Sequence, residues 1–519
     1  MNISTIDIVI FIVYCLLILF IGLFVSRTKK GETKSASDYF LAGRGLGWWA
    51  IGASIIASNI SAEQFIGMSG SGFAIGLGMA TYEWIAALGL IIVAKFFIPI
   101  FLKQKIFTMP QFLEQRFDRR VKTVMAFFWL LVFVFINLTS ILYLGALAIE
   151  KVIGVDMWIG IVGLALFAGI YSIYGGLKAV ALTDVIQVVF LIGGGLATTY
   201  IALDLLGEGD GILRGFSNLQ NQAQDKFHLI LDKSHPGYKD LPGLSVIIGG
   251  LWVANLYYWG CNQYIIQRAL AAKSVKEAQY GMLFAGFIKL LIPLLVVIPG
   301  IAAFALNAPL EKSDEAYPWL LNNLLPVGLK GIAFAALTAA IVSSLASMMN
   351  SISTIFTMDI YHSYIRKQAD QKELVYAGRW ASFASLLIAV LIAPMLSGLD
   401  QAFQYIQEFT GFISPGALAI FLAGFFYRRA TANGALAAAV ATFVLSLLLK
   451  FVCPELPWLD RMGIVFLLCC GLIVLMGRKK PEAQPDSAIS KELFKTPLLF
   501  NILSFVVIAI LVTFYCMWW

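Results

Sequence analysis

The sequence predicts an all-α polytopic membrane protein with 14 transmembrane helices, and three observations carry that expectation. Of 519 residues, 60% are hydrophobic and only 13% are charged, more apolar surface than a soluble core could bury. The apolar residues gather into runs of about twenty, the length a helix needs to cross a bilayer. If the N-terminus lies outside, the cytoplasmic loops hold 26 of the 37 Lys and Arg residues, the asymmetry of the positive-inside rule.

The first run, 6–26, is followed rather than preceded by its basic cluster, RTKK at 27–30, which predicts a retained span and not a cleavable signal. Further spans are expected at 47–76, 80–102, 123–149, 156–175, 185–206, 244–267, 279–305, 329–358, 380–397, 403–427, 434–452, 462–477 and 497–519. The orientation puts both termini outside a plasma membrane. The net charge of +7 then reflects topology and needs no nucleic acid to explain it. Nearly all six cysteines fall within apolar runs without metal-type or disulfide spacing, so they read as small hydrophobes. Only 207–243 and 478–495 are sizeable soluble segments, and neither is long enough for a domain.

The second span contains SNISAEQFIGMSG at 58–70, where a carboxylate, two amides and two glycines interrupt an apolar run. Ser61 and Gln64 have the S-x-x-Q spacing of a capping box, a signal to start a helix where one is already in progress. A helix broken at bilayer depth leaves carbonyls before the break and N–H groups after it without partners, and a bound ion or polar solute can supply them. Five spans later GGLWVANLYYWGCNQYIIQ, 249–267, repeats the pattern of amides, tyrosines and glycine. Two interrupted helices, each the first of five, predict an inverted five-plus-five repeat. The chain then divides into an extra span and cytoplasmic loop at 1–46, a first repeat at 47–206, an external loop at 207–243, a second repeat at 244–427 and three added spans at 428–519.

Other polar groups fall inside apolar runs: Glu83 in TYEWIAA, Lys289 in FAGFIKLLIP, Gln407 in FQYIQEFTG, and Ser343 with Ser344 in AAIVSSLASMMNS. Ionisable groups at that depth cost several kcal/mol and must face a polar cavity or a partner. Glu83 and Lys289 can form a structural ion pair or bind a solute; Gln64, Asn255 and Gln407 can bond between helices or to a ligand. His228, His235 and His362 lie in loops and form a poor proton relay.

ISAEQFIGMSGSG, YSIYGGLKAVALTDVIQV, LWVANLYYWGCNQYIIQR, AAIVSSLASMMNS and QAFQYIQEFTGFISPG occur in this order and resemble the sodium/solute symporter family, most closely its bacterial sodium/galactose (glucose) branch. The resemblance runs from DYFLAG at 38 to the last span and implies a LeuT-like five-plus-five core with one span before it and three after. It implies sodium-coupled symport of a hexose, with sodium the co-transported ion and sugar, sodium and the lipid bilayer the partners. Gln64, Glu83, Asn255, Lys289 and Gln407 would bond sugar hydroxyls. Tyr258 would stack on the pyranose as inner gate, and Met68, Tyr82 and Phe403 would close the outer side. The carbonyls of Ala57, Ile60 and Ala340 with the hydroxyls of Ser343 and Ser344 would hold sodium, Asn59, Asn137 and Trp259 would brace the site, and Asp184 would lie on the ion's inward exit path. Where the galactose transporters carry a serine one turn beyond the glutamate, this chain has Ala86, which leaves the hexose open and an inositol-like polyol as an alternative.

The chemistry of a hexose suits that set. Its hydroxyls both donate and accept, as amides do, while a carboxylate accepts and an ammonium donates; its C–H faces suit a tyrosine ring. No G-x-x-x-x-G-K-[ST] motif is present, so no nucleotide partner is expected and the ion gradient is the expected energy source. Two rival readings are a sodium or solute channel, and a serine hydrolase using Ser343 or Ser344 with Lys289 as base; non-enzymatic transport fits the tandem serines better.

Overall fold

The structure, a computed structural model, describes residues 4–25, 27, 35–398, 402–478 and 491–519. Residues 28–30 of the expected basic cluster and most of the 478–495 loop lie outside the described residues. The described chain is helical, with one isolated parallel bridge between Leu46 and Ala272. Among the described residues, 11 helices are long and apolar enough to cross a membrane, or 13 if each of two bent pairs is one span.

Near the N-terminus lie α1 (Thr5–Val25), α2 (Trp48–Asn59) and the short α3 (Ser69–Ala74). The long helices α4 (Leu77–Gln104), α5 (Arg119–Ile153), α6 (Met157–Gly175) and α7 (Leu177–Leu206) follow. After the 207–243 segment come α8 (Gly250–Gly260), α9 (Val275–Ala305), α10 (Leu329–Ile365), α11 (Gln371–Leu396), α12 (Phe403–Thr410) and α13 (Ser414–Phe426). The chain continues through α14 (Ala432–Val452), α15 (Trp458–Leu475) and α16 (Leu498–Met517). Local chemistry starts several of them. Asp118 caps α5 by accepting from the N–H groups of Arg120 and Val121 at 2.9 and 3.1 Å, and Asp156 caps α6 through Trp158 at 2.9 Å. Asp7 reaches from α1 to the N–H groups of Gly328 and Gly331, each at 2.8 Å, and satisfies the start of α10 from outside its own helix.

Burial sorts the helices into a centre and a rim. The most apolar stretch of α10 is 94% buried and that of α9 is 78% buried, against 17% for α1 and 22% for α16. α7 runs along α10 and α2, and α9 along α2 and α4. α8 and α13 pack on α15, which pairs with α14.

The breaks are where sequence and structure are most informative. The 47–76 segment is interrupted after Asn59: Ile60 is extended at φ −79°, ψ 102°, and a π-helical turn, Glu63–Met68, precedes α3. The capping box is present in a shifted form. The Ser61 amide donates to Gln64 Oε1 at 2.9 Å, while Ser61 Oγ accepts from the N–H of Glu63 at 3.0 Å, one residue earlier than the motif anticipates. The 244–267 segment is broken twice, by a 78° bend between Ile248 and Gly250 and again where Asn262 caps a short helix through Tyr264 at 3.2 Å. The 403–427 span, expected as one helix, is corrected to two: α12 and α13 meet at 46°. Pro415, in the first turn of α13, has no N–H to donate back to Gly411, so the helix restarts there.

Candidate functional site

The breaks in the second and seventh segments, the N-terminal part of α4, the middle of α9, and the bend between α12 and α13 surround one cavity. Gln64, Tyr82, Glu83, Asn255, Tyr258, Lys289, Phe403 and Gln407 all line it, as do Asn59, Asn137 and Trp259. Eleven residues singled out from the sequence, spread over more than 300 positions, thus face one space.

Its centre is Lys289, with 0% of its side chain exposed. The ammonium donates to Glu83 Oε2 and to Asn59 Oδ1, and lies 5.0 Å from the Trp259 ring centroid. Asn59 Nδ2 donates to the Tyr258 hydroxyl at 3.0 Å, and Trp259 Nε1 donates to Asn255 Oδ1 at 3.0 Å. Asn255 is itself held by donating to the Leu251 carbonyl at 3.0 Å. A buried charge without such partners would be strongly disfavoured, so the network fixes both the lysine and the amides around it. Asn59 joins the broken helix, α9 and α8 through one side chain.

One side of the cavity is closed by Tyr82 and Phe403, whose rings meet edge to face with centroids 5.3 Å apart. Phe403 can come this close to the broken helix because position 67 is glycine: a Cβ there would sit 2.8 Å from that of Phe403. The third expected member of this closure, Met68, is fully buried and is not part of the cavity wall. Tyr258 stands with its ring edge-on to Trp259, at 4.9 Å and 81°.

The residues expected to hold an ion lie outside the cavity wall, where α10 crosses the end of α2. Ala57, Ile60, Ala340, Ser343 and Ser344 are all fully buried. Ser344 Oγ donates to the Ser58 carbonyl at 2.8 Å, and Ser58 and Ser347 share a hydroxyl bond of 2.9 Å. The Ser61 amide turns to Gln64 and not back to the Ala57 carbonyl, so the last turn of α2 presents carbonyl oxygen beside these hydroxyls. Asp184 touches the same place, accepting from Ser343 Oγ and Ser54 Oγ at 2.5 Å each. Arg268, also fully buried, donates to Ser54 Oγ at 3.3 Å and supplies the opposing charge. Ser343 and Ser344 are therefore engaged with Asp184 and the Ser58 carbonyl, while Lys289 is engaged with Glu83 and Asn59.

Several lining residues were not anticipated. Ser61 and Glu63 belong to the broken segment itself; Asn262 and Tyr264 follow the second break in the seventh; Thr410 and Gly411 sit at the α12–α13 bend; Trp458 and Met462 come from α15. The Trp458 indole N–H, the Thr410 hydroxyl and one carboxylate oxygen of Glu63 are buried without a hydrogen-bond partner. Asn262 and Gly411 carried a usable signal, a capping residue and a glycine inside apolar runs; Trp458 carried none.

Residues 39–441 match the Sodium:solute symporter family. The chain is 52% identical to the sodium/glucose cotransporter of Vibrio parahaemolyticus, in an alignment covering 100% of this chain and 99% of that one. It is 34% identical to the sodium/myo-inositol cotransporter 2 of Mus musculus, over 85% of this chain and 69% of that protein. In fold it is similar to a substrate-bound, outward-open Na+-coupled sialic acid symporter, at a TM-score of 0.80 with 24% identity over 91% of this chain and 97% of that one. A nucleobase-cation-symport-1 family transporter in a closed conformation shares the fold more distantly, at a TM-score of 0.55 and 14% identity over 85% and 96% of the two chains.

Proposed function

This chain belongs to the sodium:solute symporter family, and from that premise we propose that it is a secondary active transporter carrying a hexose, galactose or glucose, into the cell together with sodium by alternating access. The observation that carries the sugar assignment is the cavity itself, where two carboxyl groups, one ammonium and several amides converge beside a tyrosine ring. That mixture matches hydroxyls that donate and accept around an apolar ring face. The named cargo of the relative that is 52% identical supports the same reading.

In this reading Gln64, Glu83, Asn255, Lys289 and Gln407 bond the sugar hydroxyls. Tyr258, held by Asn59, is the inner gate, and the Tyr82–Phe403 contact is the outer one. Asn59, Asn137 and Trp259 brace the site. Sodium binds at the carbonyls of Ala57, Ile60 and Ala340 and the hydroxyls of Ser343 and Ser344, displacing the bonds those hydroxyls make in this structure. Asp184, already bonded to Ser343, receives the ion on its way inward. Binding of sodium ties α10 to the end of α2, and the same broken helix carries Asn59 and Gln64 to the sugar; that shared element is the means of coupling. Each ion moved inward supplies roughly 2.3 kcal/mol per 100 mV of potential, in addition to its concentration gradient.

The same reading takes the two bent pairs and the interrupted 47–76 segment as spans, giving 14, arranged as an inverted repeat of 47–206 and 244–427 with an added span before and three after. Both termini then lie outside a bacterial inner membrane. The test is uptake into proteoliposomes of labelled galactose, glucose and myo-inositol, with and without an inward sodium gradient. Saturable accumulation of a hexose only with sodium is expected. Preference for myo-inositol would move the cargo to the polyols, as Ala86 and the inositol cotransporter relatives allow. Non-saturable flux that never exceeds equilibrium would indicate a channel and overturn the reading.

A further inference from the structure

Three ionisable side chains of acid or base type line the cavity: Glu63, Glu83 and Lys289. Lys289 is committed to Glu83 and Asn59. Glu63 is left over. Its Oε1 is buried without a hydrogen-bond partner, although its own backbone N–H is taken by Ser61 Oγ at 3.0 Å. It is the first residue of the π-helical turn Glu63–Met68. Tyr258 and Tyr264 line the same wall and bring no positive charge to it. With Glu83 and Lys289 paired to each other, Glu63 is the one carboxyl of the wall that has no hydrogen-bond partner for its buried oxygen among the described residues, and a cation placed beside it would hold it ionised.

We propose that Glu63 is a specificity-determining residue for a positively charged cargo, and that the cavity takes a hexose in which one hydroxyl is replaced by an amine. This deepens the reading of the site as a hexose cavity and rests on it. A neutral sugar offers Glu63 a hydroxyl donor. An amino sugar offers an ammonium at the same position, which bonds as a donor and also cancels the charge. The preference is tied to one ring position. An ammonium directed at Glu63 is attracted, whereas one directed at Lys289 meets a like charge, so the isomers of an amino-deoxy hexose must differ in affinity.

The experiment uses the full-length protein, purified and reconstituted with sodium present. Amino-deoxy glucoses and galactoses bearing the amine at each available ring carbon in turn, and their neutral N-acetyl counterparts, compete against labelled parent hexose. One isomer is expected to exceed its parent by about ten- to a hundredfold, the worth of a charge-assisted bond. Its N-acetyl form, and the ratio of amine to parent in Glu63→Gln, should lose that advantage. If hexoses bind and no amine outcompetes its parent, or if the preferred amine keeps its advantage in Glu63→Gln, the proposal is wrong while the hexose reading stands. If no hexose binds, both fall. A second sodium ion is the other cation that could answer Glu63; a neutral hexose whose affinity rises with the square of sodium concentration in the wild type and linearly in Glu63→Gln would replace the amine. Should Glu63→Gln not fold, the comparison of free and acetylated amine on the wild type decides alone.

Discussion

Neutralising Glu83 and Lys289 separately and together should give unequal stabilities, and the inequality follows from who else each group touches. Removing one partner of a buried ion pair costs ~3–5 kcal/mol, because the survivor remains buried and unpaired. Here the survivors differ. In Glu83→Gln, Lys289 keeps Asn59 Oδ1 as an acceptor and gains the amide oxygen of the new glutamine, so the loss should fall to the lower end of that range or below it. In Lys289→Met, Glu83 loses the single partner it has among the described residues, with its side chain 5% exposed, and the loss should approach the upper end. The double variant removes both charges and should recover most of the stability, since replacing a whole buried pair is often near neutral. Sugar binding should not recover with it. In the proposed site each charge would also give the sugar a bond worth about 1.5–3 kcal/mol, a ten- to hundredfold loss of affinity apiece when it is removed. Thermal unfolding in detergent and sodium-driven uptake, measured on the same three variants, separate the two effects. Glu83→Gln unfolding more easily than Lys289→Met would refute the argument from partners, and uptake restored in the double variant would show that the pair serves the fold and not the cargo.

Other expectations follow from neighbouring contacts. Ser343→Ala combined with Ser344→Ala should abolish sodium dependence of uptake, because two of about five oxygens around the ion are lost; sodium dependence equal to wild type would move the ion elsewhere. Tyr258→Phe removes the hydroxyl that accepts from Asn59 and should weaken sugar affinity by roughly threefold to tenfold, a bond of ~0.5–1.5 kcal/mol, whereas Tyr258→Ala should lose ring stacking as well; equal affinities in the two variants would exclude a stacking role. Burial alone would raise the pKa of Asp118, but its bonds to the N–H of Val121 and to Arg120 outweigh that and hold it below the usual value of 3.8. Its cap on α5 therefore contributes stability above pH 3.8 that is lost as the pH falls through the lowered value. Asp118→Ala should cost about 1 kcal/mol at neutral pH and flatten that acid limb in unfolding measurements.

Most of the expected spans were legible because bilayer thickness imposes a run length on the sequence itself, and the interruption at Ser61 was legible because a capping box has a spacing. Glu83, Lys289 and Gln407 could be found as polar groups in apolar surroundings. The bend between Thr410 and Ser414 was missed although Gly411 and Pro415 mark it, since a glycine and a proline are also tolerated in unbroken membrane helices. Glu63 was passed over because Gln64 beside it fits the capping motif; only the structure shows that one turns back to Ser61 while the other faces the cavity unpaired. Pairings such as Arg268 with Ser54, or Ser58 with Ser347, join positions more than 200 residues apart and leave no local trace.

Trp458 and Met462 reach the cavity wall from α15, a helix that follows the second of the expected repeats. The chamber is thus unfinished while the ribosome is still making the residues between 427 and 458. During that interval the polar wall lacks the part that Trp458 and Met462 supply. Biogenesis must hold this half-built polar interior away from the acyl chains until α15 arrives, so a stop codon or a pause placed before Trp458 should yield a chain that the cell's membrane quality control recognises and degrades, even though every residue proposed to bind sugar or sodium has already been made.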